Sequence, residues 1–143
     1  MIPTTAVHAI LFALALTLGA GPAGAEETMA ATVGELPGPG PYQRFIVKYR
    51  SDSAPGRDPR AVQSRLDRAV AASGLMLSDE DTPLALQWQR RLAVQADVLQ
   101  AERPLDRAEA RRLLEALAAD PDVEYVEVDA LMRAGPGPMQ RPD

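Results

Sequence analysis

The chain has 143 residues, with 15 Lys+Arg against 20 Asp+Glu, no cysteine and one histidine, a length that fits one small domain. Without cysteine it forms no disulfide, thiolate nucleophile or iron–sulfur site, and because His8 falls in a leader, the chain beyond it has no imidazole for a Ser-His-Asp triad or a histidine-ligated metal. A net charge of −5 argues against nucleic acid and anionic membrane, both of which are held by neutralising phosphate with Lys and Arg, and directs attention to a protein partner.

From Ala6 to Ala20 the chain is nearly unbroken Ala, Leu, Ile, Phe and Val, and Ala23-Gly24-Ala25 then gives the small-x-small pattern cut by signal peptidase. Residues 1–25 therefore read as a secretory signal cleaved after Ala25, which sends the protein to the periplasm or the medium. The apolar run is shorter than the ~20 residues that span a bilayer, so no membrane association is expected after cleavage. Residues 26–42 include Leu36-Pro37-Gly38-Pro39-Gly40-Pro41, which supports neither helix nor strand and reads as a tether. A second such run, Gly135-Pro136-Gly137-Pro138, makes residues 134–143 a flexible tail and leaves one folded region over 43–133.

Within that region Arg44-Phe45-Ile46-Val47-Lys48-Tyr49-Arg50 is β-branched and aromatic, which predicts a strand. Asp58-Pro59 offers an N-cap and a proline at the first helical position, and Val62, Leu66, Ala69 and Val70 recur at helical spacing until Gly74. Leu84, Leu86 and Trp88 alternate with polar or small residues up to Leu92 as a second strand, and after a turn at Val94–Asp97, Val98-Leu99 begins a third. Asp106-Arg107-Ala108-Glu109 has the spacing of a capping box and opens a helix with Ala110, Leu113, Leu114 and Leu117 on one face, ended by Asp120-Pro121. Val123–Asp129 is the last strand. The order strand, helix, strand, strand, helix, strand predicts an α+β, ferredoxin-like βαββαβ fold: a four-stranded antiparallel sheet with two helices on one face and the other face open. Alternation along the last strand puts Val123, Tyr125, Glu127 and Asp129 on one side and Val126 and Val128 on the other, so the open face presents an aromatic ring with two carboxylates.

The run Asp120-Pro121-Asp122-Val123-Glu124-Tyr125-Val126-Glu127-Val128-Asp129, behind a Leu-rich helix opened by Asp106 and with Arg44–Tyr49 far upstream, resembles the propeptide of secreted subtilisin-like serine proteases. Arg90–Val98 is similar to the middle of such propeptides in bacterial extracellular enzymes. The resemblance covers about residues 43–133 and implies the same ferredoxin-like architecture. It also implies a function: such a domain assists the folding of its protease and then inhibits it, the sheet face lying against two enzyme helices and the C-terminal extension entering the active-site cleft. Tyr125, Glu127 and Asp129 would then form the protease-binding face. The two carboxylates would accept hydrogen bonds from the unsatisfied N–H groups at the helix starts, where the dipole favours negative charge. Ala130, Leu131, Met132, Arg133, Ala134 and Gly135 would form the cleft-binding tail, held as an added strand, with Met132 in an apolar subsite and Gly135 before the scissile position.

Because the chain ends eight residues after Gly135, no catalytic domain is expected to follow, and the expectation is a monomeric, stand-alone inhibitor rather than an enzyme, with no catalytic residue, cofactor or metal. Pro136 makes Gly135-Pro136 a poor bond to cleave, which suits a lasting inhibitor. The alternatives are a secreted interaction module without an inhibitory tail and the remnant of a truncated zymogen. Bland roles fall to Trp88, a packing residue, to Asp79-Glu80-Asp81, a solvated loop without calcium-site spacing, and to the pairs Arg90-Arg91 and Arg111-Arg112, which are read as solubilising charges.

Overall fold

The computed structural model describes residues 29–78 and 81–130. Residues 1–28, which include the expected signal sequence, Asp79-Glu80 and the segment 131–143 lie outside the described residues.

In chain order the elements are β1 (Thr32–Val33), β2 (Tyr42–Tyr49), α1 (Ala54–Arg57), a 3-10 turn (Pro59–Ala61), α2 (Val62–Ser73), β3 (Leu86–Arg91), β4 (Asp97–Leu105), α3 (Arg107–Ala118) and β5 (Val123–Val128). They form an α+β fold around one five-stranded sheet of order β1-β5-β2-β4-β3. The sheet is mixed, not the expected four-stranded antiparallel one: β5, β2, β4 and β3 pair antiparallel, and β1 adds itself parallel to β5. β1 comes from the segment read as a tether. Two residues carry little strand signal of their own, and what recruits them is the otherwise unpaired edge of β5, whose Val126 carbonyl accepts from the Gly34 N–H at 2.8 Å. The rest of this segment is also tied down. Leu36 is 4% exposed in the core, Arg50 Nη2 donates to the Met29 carbonyl at 2.8 Å and Arg107 Nη1 donates to the Gly38 carbonyl at 2.9 Å.

Local signals in the sequence explain the helices. Asp106 and Glu109 make the predicted capping box, with Glu109 N donating to Asp106 Oδ1 at 2.9 Å and Asp106 N to Glu109 Oε2 at 3.0 Å. Asp58 caps only the 3-10 turn, through the Arg60 N–H at 2.9 Å. The chain before it forms the extra helix α1, capped by Ser53. α2 ends at Gly74 in the left-handed region, φ 66°, where a side chain would be strained. Both long helices turn their apolar residues to one side of the sheet: Val62, Leu66 and Val70 of α2 and Leu113, Leu114 and Leu117 of α3 join Phe45, Val47, Leu99 and Val126 in a single core. Burying this apolar surface is the main favourable term in the folding of a domain that has no covalent staple.

Buried charges complete the scaffold. Asp97 is fully buried at the start of β4, where Arg91 donates to both of its oxygens at 3.0 and 2.9 Å and the Trp88 indole N–H donates to Oδ1 at 2.9 Å. The same guanidinium donates to the Pro55 and Gly56 carbonyls at 2.6 and 2.8 Å, which fastens α1 to the β3–β4 hairpin. Arg91 is therefore not the solubilising charge the sequence suggested, whereas Arg111 and Arg112 are exposed on α3. Arg65 bridges α2 to the turn before β5, with Asp120 at 3.0 Å and Asp122 at 2.8 Å. Tyr49 is buried beside this group, and desolvation followed by the Asp120 charge holds its phenol neutral by raising its pKa far above the usual tyrosine range.

Candidate protein-binding face

The face of the sheet away from the helices is set by the β2–β5 register. Ile46 stands opposite Glu127 and Lys48 opposite Tyr125, so the alternate residues Arg44, Ile46 and Lys48 line up beside the two side chains the sequence singled out. On the far side of β2, Ile46 pairs with Val98 and Arg44 with Gln100, and β3 continues the same face with Gln87 and Arg90. Among the described residues no helix packs on this side; every buried residue of α2 and α3 belongs to the single core on the other.

Tyr125 is half-buried and Glu127 is exposed. Val123 does not join them. A register shift between Lys48 and Tyr49 makes Glu124 an extra residue, so Tyr49 pairs with Val123 and that side chain turns into the core at 1% exposure. The displaced Glu124 carboxylate lies 3.6 Å from the Lys48 ammonium. Nor is β5 an edge strand. β1 lies along it with Thr32 opposite Tyr125, and Gly34 passes so close to Glu127 that a Cβ on it would lie 2.8 Å from the Glu127 Cβ. Thr32, Gly34, Glu124, Tyr125 and Glu127 together line a shallow hollow of about 380 Å³ at this border of the sheet.

The two predicted carboxylates differ in state. Among the described residues Glu127 has no hydrogen-bond or ion-pair partner. Asp129 is engaged, its Oδ2 lying 2.6 Å from Arg44 Nη2 while its backbone N–H donates to the Arg44 carbonyl at 3.0 Å. Ala130 is exposed at the end of the described chain, and Leu131, Met132, Arg133, Ala134 and Gly135 lie outside the described residues. Among the described residues no cluster of three or more His, Cys, Asp or Glu is placed to hold a metal ion, and no helix is long and apolar enough to cross a membrane.

Two groups escaped the sequence reading. The Arg91–Asp97 pair was legible in principle, because a hairpin closing at Val94–Ala96 sets these residues opposite each other. The Arg44–Asp129 pair had no local signal, since one partner lies on β2 and the other just beyond the end of β5.

Two extracellular proteases are similar to part of the chain. The chain is 40% identical over 93 residues to an extracellular protease of Xanthomonas campestris pv. campestris, a match covering 65% of this chain and 16% of that protein. It is 32% identical over 88 residues to an extracellular basic protease of Dichelobacter nodosus, covering 62% of this chain and 13% of that protein. The matched region thus spans about a sixth or less of the length of these relatives. No family model matches the chain, and no solved structure matches it.

Proposed function

We propose that this chain is an exported, non-catalytic partner of a subtilisin-like serine protease, which docks through its open sheet face and blocks the substrate cleft with Ala130–Gly135. The observation that carries this reading is the 40% identity to an extracellular protease over a stretch amounting to 16% of it. A stretch of that size, from a chain with no cysteine and no histidine beyond His8, brings none of the machinery of a Ser-His-Asp or Cys-His centre. What it does bring suits binding: among the described residues, a sheet face that no helix covers, with a half-buried Tyr125 and a Glu127 carboxylate without a partner. Glu127 is the acceptor for helix-start N–H groups of the enzyme, and the tail adds to its substrate-binding strands. Assistance to folding follows from the same contacts if they form before the enzyme is complete.

Progress curves of a secreted subtilisin-like protease on a small chromogenic peptide, with and without the purified chain, test this. Competitive inhibition that weakens on removal of residues 130–143, with no peptide hydrolysis by the chain alone, is the expected result. Met132→Asp is expected to weaken inhibition as removal of the tail does, whereas binding left nearly intact by it would favour a docking module. Absence of inhibition across several such enzymes overturns the reading in favour of a docking module or a zymogen remnant.

A further inference from the structure

We infer that Gln63 is a plug that closes the outer edge of β3 and so keeps two copies of the chain from joining edge to edge. Among the described residues the sheet ends at β3, which pairs with β4 on one side and with no strand on the other. Such an edge offers N–H and C=O groups to any extended chain, and β3 of a second copy, related by a two-fold axis, is complementary to it. The Gln63 side chain reaches this edge from the first turn of α2. Its Nε2 donates to the Leu86 carbonyl at 2.9 Å and its Oε1 accepts from the Trp88 N–H at 3.1 Å. One residue of a parallel neighbour would make this same pair of bonds around Gln87, so the carboxamide stands in for a strand. Nε2 also donates to Asp67 Oδ1 at 2.8 Å, one turn along the helix, which fixes the amide in that orientation.

The two halves of β3 are guarded differently. Beyond Trp88 a register shift bulges the strand, and Arg90 follows as an exposed charge; a bulge and a charge both spoil pairing. The first half has neither device. There Leu86, Gln87 and Trp88 pair with β4 in regular register, and a hollow of about 610 Å³ lined by Asp58, Pro59, Arg60, Gln63 and Trp88 leaves room for an approaching chain. Gln63 is itself exposed on α2, so replacing it uncovers the edge without opening the core. The opposite border of the sheet ends in the two residues of β1, too short to template a partner. This role concerns assembly and does not rest on the function proposed above.

Sedimentation velocity of the purified chain over a concentration series, with hydrogen exchange of the Trp88 amide read by NMR, tests this. The wild type is expected to stay monomeric with the Trp88 N–H protected. Gln63→Ala is expected to form dimers as concentration rises. When dilute, its Trp88 amide should exchange about tenfold faster, the loss of one hydrogen bond, and dimer formation should slow it again. Gln63→Lys lacks the acceptor but places a charge at the edge, so it should show the fast exchange and remain monomeric. Thermal melting checks that each variant is folded. A wild type that already dimerises through this edge, a folded Gln63→Ala that stays monomeric, dimers in which the Trp88 amide remains unprotected, or a Gln63→Lys that associates as strongly as Gln63→Ala overturns the assignment.

Discussion

The two faces of this sheet are built from the same strands, one residue after another, and they are held by different physics. Along β2, Phe45, Val47 and Tyr49 are buried under α2 and α3, while Arg44, Ile46 and Lys48 between them are only partly covered. The helix side gains its stability from apolar area removed from water and from charges whose hydrogen bonds are filled within the fold. The open side is held by accessible pairs, Arg44 with Asp129 and Lys48 with Glu124. Val98 is an exception, 2% exposed between Ile46 and Arg90 on the otherwise accessible face. The difference teaches that folding and recognition occupy separate registers of one strand, so a substitution on one face can be read without disturbing the other.

The sharpest way to break this comparison is to attack the helix side. Phe45→Ala empties a fully buried aromatic site at the centre of the core, and a loss of ~3–5 kcal/mol is expected in urea unfolding. Asp97→Ala is expected to cost a similar ~3–5 kcal/mol, because it leaves the Arg91 guanidinium and the Trp88 indole without their acceptor. Replacing the pair by Asp97→Leu with Arg91→Met should recover much of that loss. If the single and double substitutions were equally harmful, the cost would belong to packing around α1 and not to the orphaned charge.

On the open side the expectation inverts. Glu127→Gln keeps the size of the side chain and removes a charge that has no partner among the described residues, so stability should change by less than about 0.5 kcal/mol. Binding to a cognate protease, measured by titration of its activity, is expected to weaken about tenfold, the loss of one charge-assisted contact. A large drop in melting temperature with unchanged inhibition would place Glu127 in the scaffold and collapse the division between the faces.

How much of this division was legible depended on how local its cause was. The capping box at Asp106 and Glu109 and the glycine stop at Gly74 work within a few residues, and both appear where the sequence puts them. The alternation that exposes Tyr125 and Glu127 is equally local. Val123 was misplaced because a bulge is a property of two strands in register, and β5 alone does not reveal that Tyr49 will shift against it. β1 was missed for a related reason: Thr32–Val33 is a strand because β5 has an edge to fill, and proline and glycine nearby hide it. The ion pairs of Arg44 and Arg65 join residues far apart in sequence, and patterning along the chain is blind to them.

The smallest expected effect refines the comparison by asking which face responds to acid. Arg103 on β4 donates to both oxygens of Glu109 at 3.0 and 2.6 Å, tying the start of α3 to the sheet, and this bond is the main reason the Glu109 carboxyl titrates below its ordinary value of 4.5. A carboxylate whose folded pKa lies below its unfolded one stabilises the fold fully above the unfolded value, and that contribution fades as pH falls through the folded one. Glu109→Gln retains an acceptor for the Asp106 N–H and removes the charge, so it should destabilise by about 1 kcal/mol at neutral pH. The gap between wild type and variant should close as pH drops below 4.5. Urea midpoints measured from neutral pH downward check this. Curves that stay parallel would mean that geometry, and not charge, anchors α3, and the acid response of the helix side would then fall to the carboxylates paired with Arg65 and Arg91.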